Sequence, residues 1–376
     1  MSIHFKVNRE DLIKAISDLQ GITNKKGTMS ILGNVLIETS ENRLILTGTD
    51  LEIGLKQYIP AEILQEGKIT LPAKKLFELA RESGTPQILF KEIENAWVEI
   101  ISGSSQYKLA GMIAEEFPQF PLYNESLLIS IDSEIMTEMI DKTIFSIALD
   151  KEGMFSLTST LVQFFEDSGK YYIKLVSSDG HRLTTMSKKI DEKIFQLKRK
   201  EPILIPRRGI QEIRKFCENK ESIFLHIEEK QIVLKSNFSI LIVRLMNGDF
   251  PDFNNVINSI SQDISISINR IRFLESLKRI NLFTEDLFHA IKIKISNKNI
   301  LLESQHADFG SAKDSFSIKY QGEDIDLAFN CRFFIDILQA MEGDIIDFCV
   351  KDERSPCMIT SSQDEGFLSI VMPMKI

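Results

Sequence analysis

The chain has 376 residues, 43% hydrophobic and 26% charged, which is ordinary for a globular protein and enough for two or three domains. No apolar run approaches the roughly 18 residues of a membrane span, and the polar start Met1-Ser2-Ile3-His4-Phe5-Lys6 does not read as a signal peptide, so a cytoplasmic location is expected. The net charge of −9 argues against a nucleic-acid binder with a broad basic surface.

Along the chain, Asn8 offers a helix cap and Asp11 suits the positive end of a helix dipole. Leu12, Ala15, Ile16 and Leu19 follow at helical spacing. Residues 21–28 lack the Gly-Lys-Ser/Thr order of a phosphate loop and read as a mobile basic loop. Arg43-Leu44-Ile45-Leu46-Thr47 alternates as an antiparallel strand with one wet face does. Leu71-Pro72-Ala73 then leads into a second helix over 74–82, with Leu76, Leu79 and Ala80 along one side, and a closing strand runs to Phe117-Pro118.

The order then starts again. Asp132 or Ser133 is expected to cap a helix carrying Ile135, Met139 and Ile140; Tyr172-Ile173-Lys174-Leu175-Val176 alternates; Ile205-Pro206 leads into a helix over 207–216; and the copy closes at Phe250-Pro251. A third time, Asn269 caps a helix carrying Phe273, Leu274 and Leu277, and Ile291-Lys292-Ile293-Lys294-Ile295 alternates. A helix over 331–341 follows Phe329-Asn330, and the copy closes at Met372-Pro373. The closing prolines are 251 − 118 = 133 and 373 − 251 = 122 residues apart, a domain-sized period far beyond the roughly 20–50 residues of a solenoid repeat. The expected organisation is three tandem α+β domains, 1–127, 128–260 and 261–376, each with helices on one side of antiparallel sheet.

Catalytic and metal chemistry find little support. Cys217, Cys331, Cys349 and Cys357 have no metal-ligand spacing and read as core or surface thiols. His4, His181, His226, His289 and His306 form no zinc pair, so no metal and no cofactor are expected. Ser178-Asp179-Gly180-His181-Arg182 sets an acid, an imidazole and a guanidinium side by side, yet it lies between strand-like runs and reads first as a turn or binding element. Asp50 and Glu52 read as solvated strand carboxylates. The second helices of the first two copies carry Lys74, Lys75, Arg81, Arg207, Arg208, Arg214 and Lys215 against Glu78, Glu82 and Glu212, a local 7 − 3 = +4 in an acidic chain. Arg270, Arg272, Lys278 and Arg279 against Glu275 add 4 − 1 = +3 on the third opening helix. Such faces are solvated surface or a phosphate-binding surface that ignores base sequence.

Several segments resemble one known family in order: Ser30-Ile31-Leu32-Gly33-Asn34, Thr47-Gly48-Thr49-Asp50-Leu51-Glu52, Leu71-Pro72-Ala73-Lys74-Lys75, Ser178-Asp179-Gly180-His181-Arg182-Leu183, Ile205-Pro206-Arg207-Arg208-Gly209, Gly248-Asp249-Phe250-Pro251-Asp252-Phe253 and the end Val371-Met372-Pro373-Met374-Lys375-Ile376. They look like the bacterial DNA polymerase III beta subunits, the sliding clamps. The resemblance implies the DNA-clamp fold: a homodimeric head-to-tail ring of six domains, twelve helices lining the interior and sheets outside. Twelve helices ~10 Å wide enclose a hole roughly 35–40 Å across. It implies a non-catalytic processivity factor that encircles duplex DNA and tethers the polymerase III catalytic subunit, the clamp loader, and other polymerases and repair proteins.

By the same resemblance the DNA-facing positions are Lys26, Lys74, Lys75, Arg207 and Arg208, while Met154 stands where the family usually has a basic residue. The pocket for partner peptides maps to Leu157, Ser178, Gly180, His181, Arg182, Leu183, Pro251, Val256, Ile370, Met372, Pro373 and Met374, with Asn255 replacing a commonly basic residue. The dimer contact is expected to join Tyr107 and Leu109 to Leu282 and Phe283. An enzyme built on the 179–182 turn and a protein-only scaffold of tandem domains are the competing readings.

Overall fold

The structure, a computed structural model, describes residues 2–23, 29–149, 155–260, 264–285 and 288–375. The first opening helix, Arg9–Thr23, starts where Asn8 Oδ1 accepts from the Glu10 and Asp11 amides at 2.8 and 3.3 Å. Its buried face is Leu12, Ala15, Ile16, Leu19 and Ile22, which packs on the helix Ala73–Glu82 and on the strands Arg43–Thr49 and Ile53–Gln65. In the third copy Asn269 accepts from the Arg272 amide at 2.9 Å to start the helix Arg270–Asn281, as its position predicts. The second copy differs. Its helix is Ser133–Asp141, and of the two expected caps Ser133 Oγ is buried without a hydrogen-bond partner, while Asp132 stands in the place of Asn8 and Asn269. The second helices, Ala73–Glu82, Arg207–Cys217 and Cys331–Ala340, lie within a residue or so of their expected bounds.

The chain forms two compact units, residues 1–133 with 215–245 and residues 134–214 with 246–376. The first holds a twelve-stranded antiparallel sheet in which the Ile53–Gln65 strand of copy one pairs with the Ser239–Arg244 strand of copy two, Gly54 opposite Ile242. The second holds an eight-stranded sheet in which the Arg182–Ile190 strand of copy two pairs with the Phe367–Val371 strand of copy three, Leu183 opposite Ile370. It also holds a four-stranded sheet of Ile325–Asn330, Ala290–Ser296, Asn299–His306 and Gly310–Ser317. At each joint, therefore, the last strand of one copy extends the sheet of the copy before it.

Backbone hydrogen bonds give the true phase of the repeat. The amides of Met112, Met246 and Met374 donate to the carbonyls of Thr70, Leu204 and Ala328 at 3.0, 2.9 and 2.7 Å, one equivalent bond per copy. The equivalent closing residues are these methionines, spaced 246 − 112 = 134 and 374 − 246 = 128 residues apart. Matching Met372-Pro373 with Phe117-Pro118 and Phe250-Pro251 is thereby corrected: the two Phe-Pro pairs lie beyond their closing methionines, in the connectors, whereas Met372-Pro373 precedes its own.

Candidate functional site

The Ser178–Leu183 turn is held by its own side chains. Asp179 Oδ1 accepts from the amides of His181 and Arg182, both at 2.9 Å; Ser178 Oγ accepts from the Gly180 amide at 3.1 Å and donates to the Arg182 carbonyl at 2.8 Å. Gly180 sits at φ +85°, a left-handed conformation that glycine adopts without cost, and a side chain begun there would meet Leu157 Cδ1 at 3.9 Å. A side chain there would thus rest on Leu157 in ordinary contact. His181 is exposed, and its carbonyl accepts from the Met372 amide at 2.8 Å, fastening the chain's end to the turn.

An apolar floor lies beneath. Leu161, Val176, Leu183, Leu204, Phe253, Cys349, Met358 and Ile370 form one buried cluster, with Val256, Ile257 and Phe250 half-buried against it. Val256 and Phe253 belong to a helix that the sequence reading missed, Phe253–Ser259. Asp252 caps it, accepting from the Asn255 amide at 3.3 Å, and the Asn255 side-chain amide donates to Asp252 Oδ2 at 2.7 Å. The signal was an Asx residue one position before Phe253. Met372 is 40% exposed and Pro373 and Met374 are half-buried, so the predicted pocket residues combine a buried floor with an accessible methionine rim. Pro251 also lines a neighbouring cleft of about 430 Å³, walled by Leu161, Phe164, Lys200, Ile203 and Phe253.

Arg182 is a brace rather than an open contact. Its side chain is 10% exposed, and its guanidinium donates to Asp179 Oδ2 at 3.0 Å, to Asp336 Oδ2 at 2.7 Å and to the Phe145 carbonyl. The Phe333 and Phe145 rings flank it at 4.6 and 5.4 Å. The His181 ring lies 6.4 Å from that of Phe333 and nearly parallel to it, at 19°. Among the described residues no group of three His, Cys, Asp or Glu could hold a metal ion. All four cysteines are buried, and burial pushes the Cys331 thiol up to about 12, far from a reactive thiolate.

The predicted basic positions divide. Lys74 and Lys75 are exposed on their helix, and Lys75 Nζ lies 2.7 Å from Glu78, whose carboxyl that hydrogen bond holds below its usual range. Arg207 and Arg208 are half-buried, Arg207 donating to the Ile147 carbonyl at 2.6 Å. Lys26 and Met154 lie outside the described residues. The positive excess on the third opening helix is largely committed: Arg270 donates to the carbonyls of Leu338, Glu342 and Gly343, and Arg279 and Arg272 reach Asp314 at 2.6 and 3.6 Å.

Of the predicted contact residues, Tyr107 and Leu109 sit on Ser105–Ala110, an edge strand paired only with Trp97–Ser102 among the described residues. Leu282, 74% exposed, and the half-buried Phe283 follow the end of Arg270–Asn281, a helix packed on the edge strand Gly310–Ser317.

Three family models match the chain: the N-terminal, central and C-terminal domains of the DNA polymerase III beta subunit, over residues 3–121, 130–252 and 260–375. A beta sliding clamp of Chlamydia pneumoniae is 28% identical over 373 residues, covering 99% of each chain; one of Vibrio cholerae is 24% identical over 375 residues, covering 99% of this chain and all of its own. Among solved structures, a Caulobacter crescentus beta sliding clamp matches with a TM-score of 0.93 at 24% identity. A Bartonella birtlesii sliding clamp bound to griselimycin matches with a TM-score of 0.93 at 23% identity, and both structures cover all of both chains.

Proposed function

The chain belongs to the DNA polymerase III beta subunit family, and from that premise we infer that two copies close head to tail into a ring around duplex DNA. Its function is that of a DNA sliding clamp, a non-catalytic processivity subunit whose partners are DNA and a polymerase. The observation that carries the ring is the recurring joint. Twice within the chain a closing strand, Ser239–Arg244 or Phe367–Val371, extends the sheet of the preceding copy. The remaining closing strand, Ser105–Ala110, and the remaining acceptor, Gly310–Ser317, are both sheet edges. Unpaired edges are templates for pairing, and a heterologous contact that repeats this joint between chains closes by rotation. Tyr107 and Leu109 lie on one edge, and Leu282 and Phe283 lie beside the helix packed on the other.

On this reading Lys74, Lys75, Arg207 and Arg208 face the DNA and touch phosphates without reading bases, which suits sliding. The 178–183 turn with Pro251, Val256, Ile370, Met372, Pro373 and Met374 forms the slot for short apolar segments of the polymerase, the clamp loader and repair proteins, and methionine adapts to several of them. Griselimycin is expected to bind this chain as well. No helix among the described residues is long and apolar enough to cross a membrane, and the proposed place of work is the cytoplasm, with the DNA.

Catalysis by the His181 turn is disfavoured by a duplicate. Thr49-Asp50-Leu51-Glu52-Ile53 makes the same turn with neither His nor Arg: Asp50 Oδ1 accepts from the Glu52 and Ile53 amides at 3.0 and 2.8 Å, and Thr49 Oγ1 accepts from Leu51 at 3.0 Å.

The test is topological. Loaded on nicked circular DNA, the protein should be retained and then released when the circle is cut; retention on the linear product would refute encirclement. Sedimentation should give twice 43.0 kDa, and Tyr107→Asp with Leu109→Asp should give a folded monomer.

A further inference from the structure

The two copies of the turn form a controlled comparison inside one chain. Both are closed by the same Asp and hydroxyl hydrogen bonds, and both have a left-handed residue at the same place, Leu51 at φ +75° and Gly180 at φ +85°. Each is also fastened alike to the strand of the following copy, the Arg244 amide donating to Glu52 O and the Met372 amide to His181 O, both at 2.8 Å. Where the second turn has Arg182, the first has Ile53. The turn therefore closes without a guanidinium, and Arg182 serves something that only the second site requires.

What it engages is a helix of the third copy. Asp336 and Phe333 are three residues apart on Cys331–Ala340 and so share a face. Asp336 holds the Arg182 guanidinium at 2.7 Å, and Phe333 lies under both that guanidinium and, nearly parallel at 19°, the exposed His181 ring. We propose that Asp336 is a positioning residue for partner binding: it holds Arg182 against Phe333, which sets the His181 rim over the apolar slot. This rests on the reading of that slot as the partner site. Asp179 still faces Arg182 when Asp336 is neutral, so the charge is not stranded and the fold should survive substitution.

The experiment measures binding of the purified polymerase III catalytic subunit to the immobilised full-length protein by surface plasmon resonance. Asp336→Asn should weaken binding about tenfold, Asp336→Glu should recover most of it, and both variants should keep the melting temperature and dimer mass of the parent. Met372→Lys, a direct change to the slot, is the reference. If it weakens binding while Asp336→Asn does not, Asp336 has no positioning role; failure of the Glu variant to recover binding overturns the role of the carboxylate in the same way. If Met372→Lys binds as the parent does, the slot itself is misassigned and the proposal falls with it.

Discussion

At the scale of single residues, the buried pair Lys142 and Asp364 stands apart from the proposed partner slot. Lys142 Nζ meets Asp364 Oδ1 at 2.7 Å with side chains 5% and 0% exposed, tying the end of the second opening helix to the third copy. Burial opposes both charges. Nevertheless, Lys142 and the amides of Gly343 and Glu342 hold the Asp364 carboxyl below its ordinary range, while Asp364 and Glu138 hold Lys142 above the usual lysine range. The depressed carboxylate contributes stability that is present above about pH 4 and lost as pH falls through its lower folded value; the raised amine contributes stability lost only as pH rises beyond about 10.4. Urea unfolding should therefore show a stability plateau near neutrality with an acid limb, and Lys142→Met should remove about 3 kcal/mol by leaving Asp364 uncompensated. A loss under about 1 kcal/mol would show the pair to be dispensable. Gly366 offers a backbone test. It sits at φ +85°, and an added side chain would begin 2.1 Å from the Ser187 carbonyl, so Gly366→Ala should cost about 2–3 kcal/mol in the same assay. The sequence displayed the residue types of the 178–183 turn but not their roles, because Phe145 and Asp336, which assign Arg182 its place, are remote in the chain.

At the scale of elements, periodicity and caps made the paired helices of each copy readable, and what escaped was their mutual bracing. Arg9 donates to the Ala80 and Arg81 carbonyls, and Arg270 donates to the carbonyls at the end of Cys331–Ala340: the first residue of the opening helix caps the last turn of its partner. The second copy has Ser133 at this position, its amide bonded to Glu221 O as Arg9 and Arg270 are to Pro86 O and Asp344 O, and there Lys220 donates to Phe216 O instead. Arg270→Ala should lower stability by about 1–3 kcal/mol, measured by thermal unfolding. The helix Phe253–Ser259 was hard to read because it is short, rich in Asn and follows a Pro, so the Asp252 cap and the tertiary burial of Phe253 and Val256 sustain it. For the basic helices the structure ranks what composition treats as equal. Lys74→Ala should lower the slope of log affinity against log salt for duplex DNA by about 0.9, whereas Lys75→Ala should do less because Glu78 competes for its amine. Fluorescence anisotropy at several salt concentrations distinguishes them.

At the scale of the whole molecule, triplication was legible from recurring segments, though with the wrong phase at its third mark. Prolines in connectors resemble one another in sequence, while the bond from Met112, Met246 or Met374 to a mid-copy carbonyl exists only in space. The sheet joints were equally unreadable, since strand pairing across copies depends on edges that no local pattern announces. The proposed ring predicts a contrast in amide hydrogen exchange: protection along Ser239–Arg244 should be independent of protein concentration, and protection along Ser105–Ala110 should fall on dilution. Equal behaviour of the two strands would rule out the interchain joint. In the proposed ring two of every three joints are tethered within a chain, which keeps their partners at an effective concentration of the order of millimolar, while the third would have only the concentration of free chains to hold it. On that proposal the joint between chains is the ring's door, and a machine that must admit DNA would do least work there.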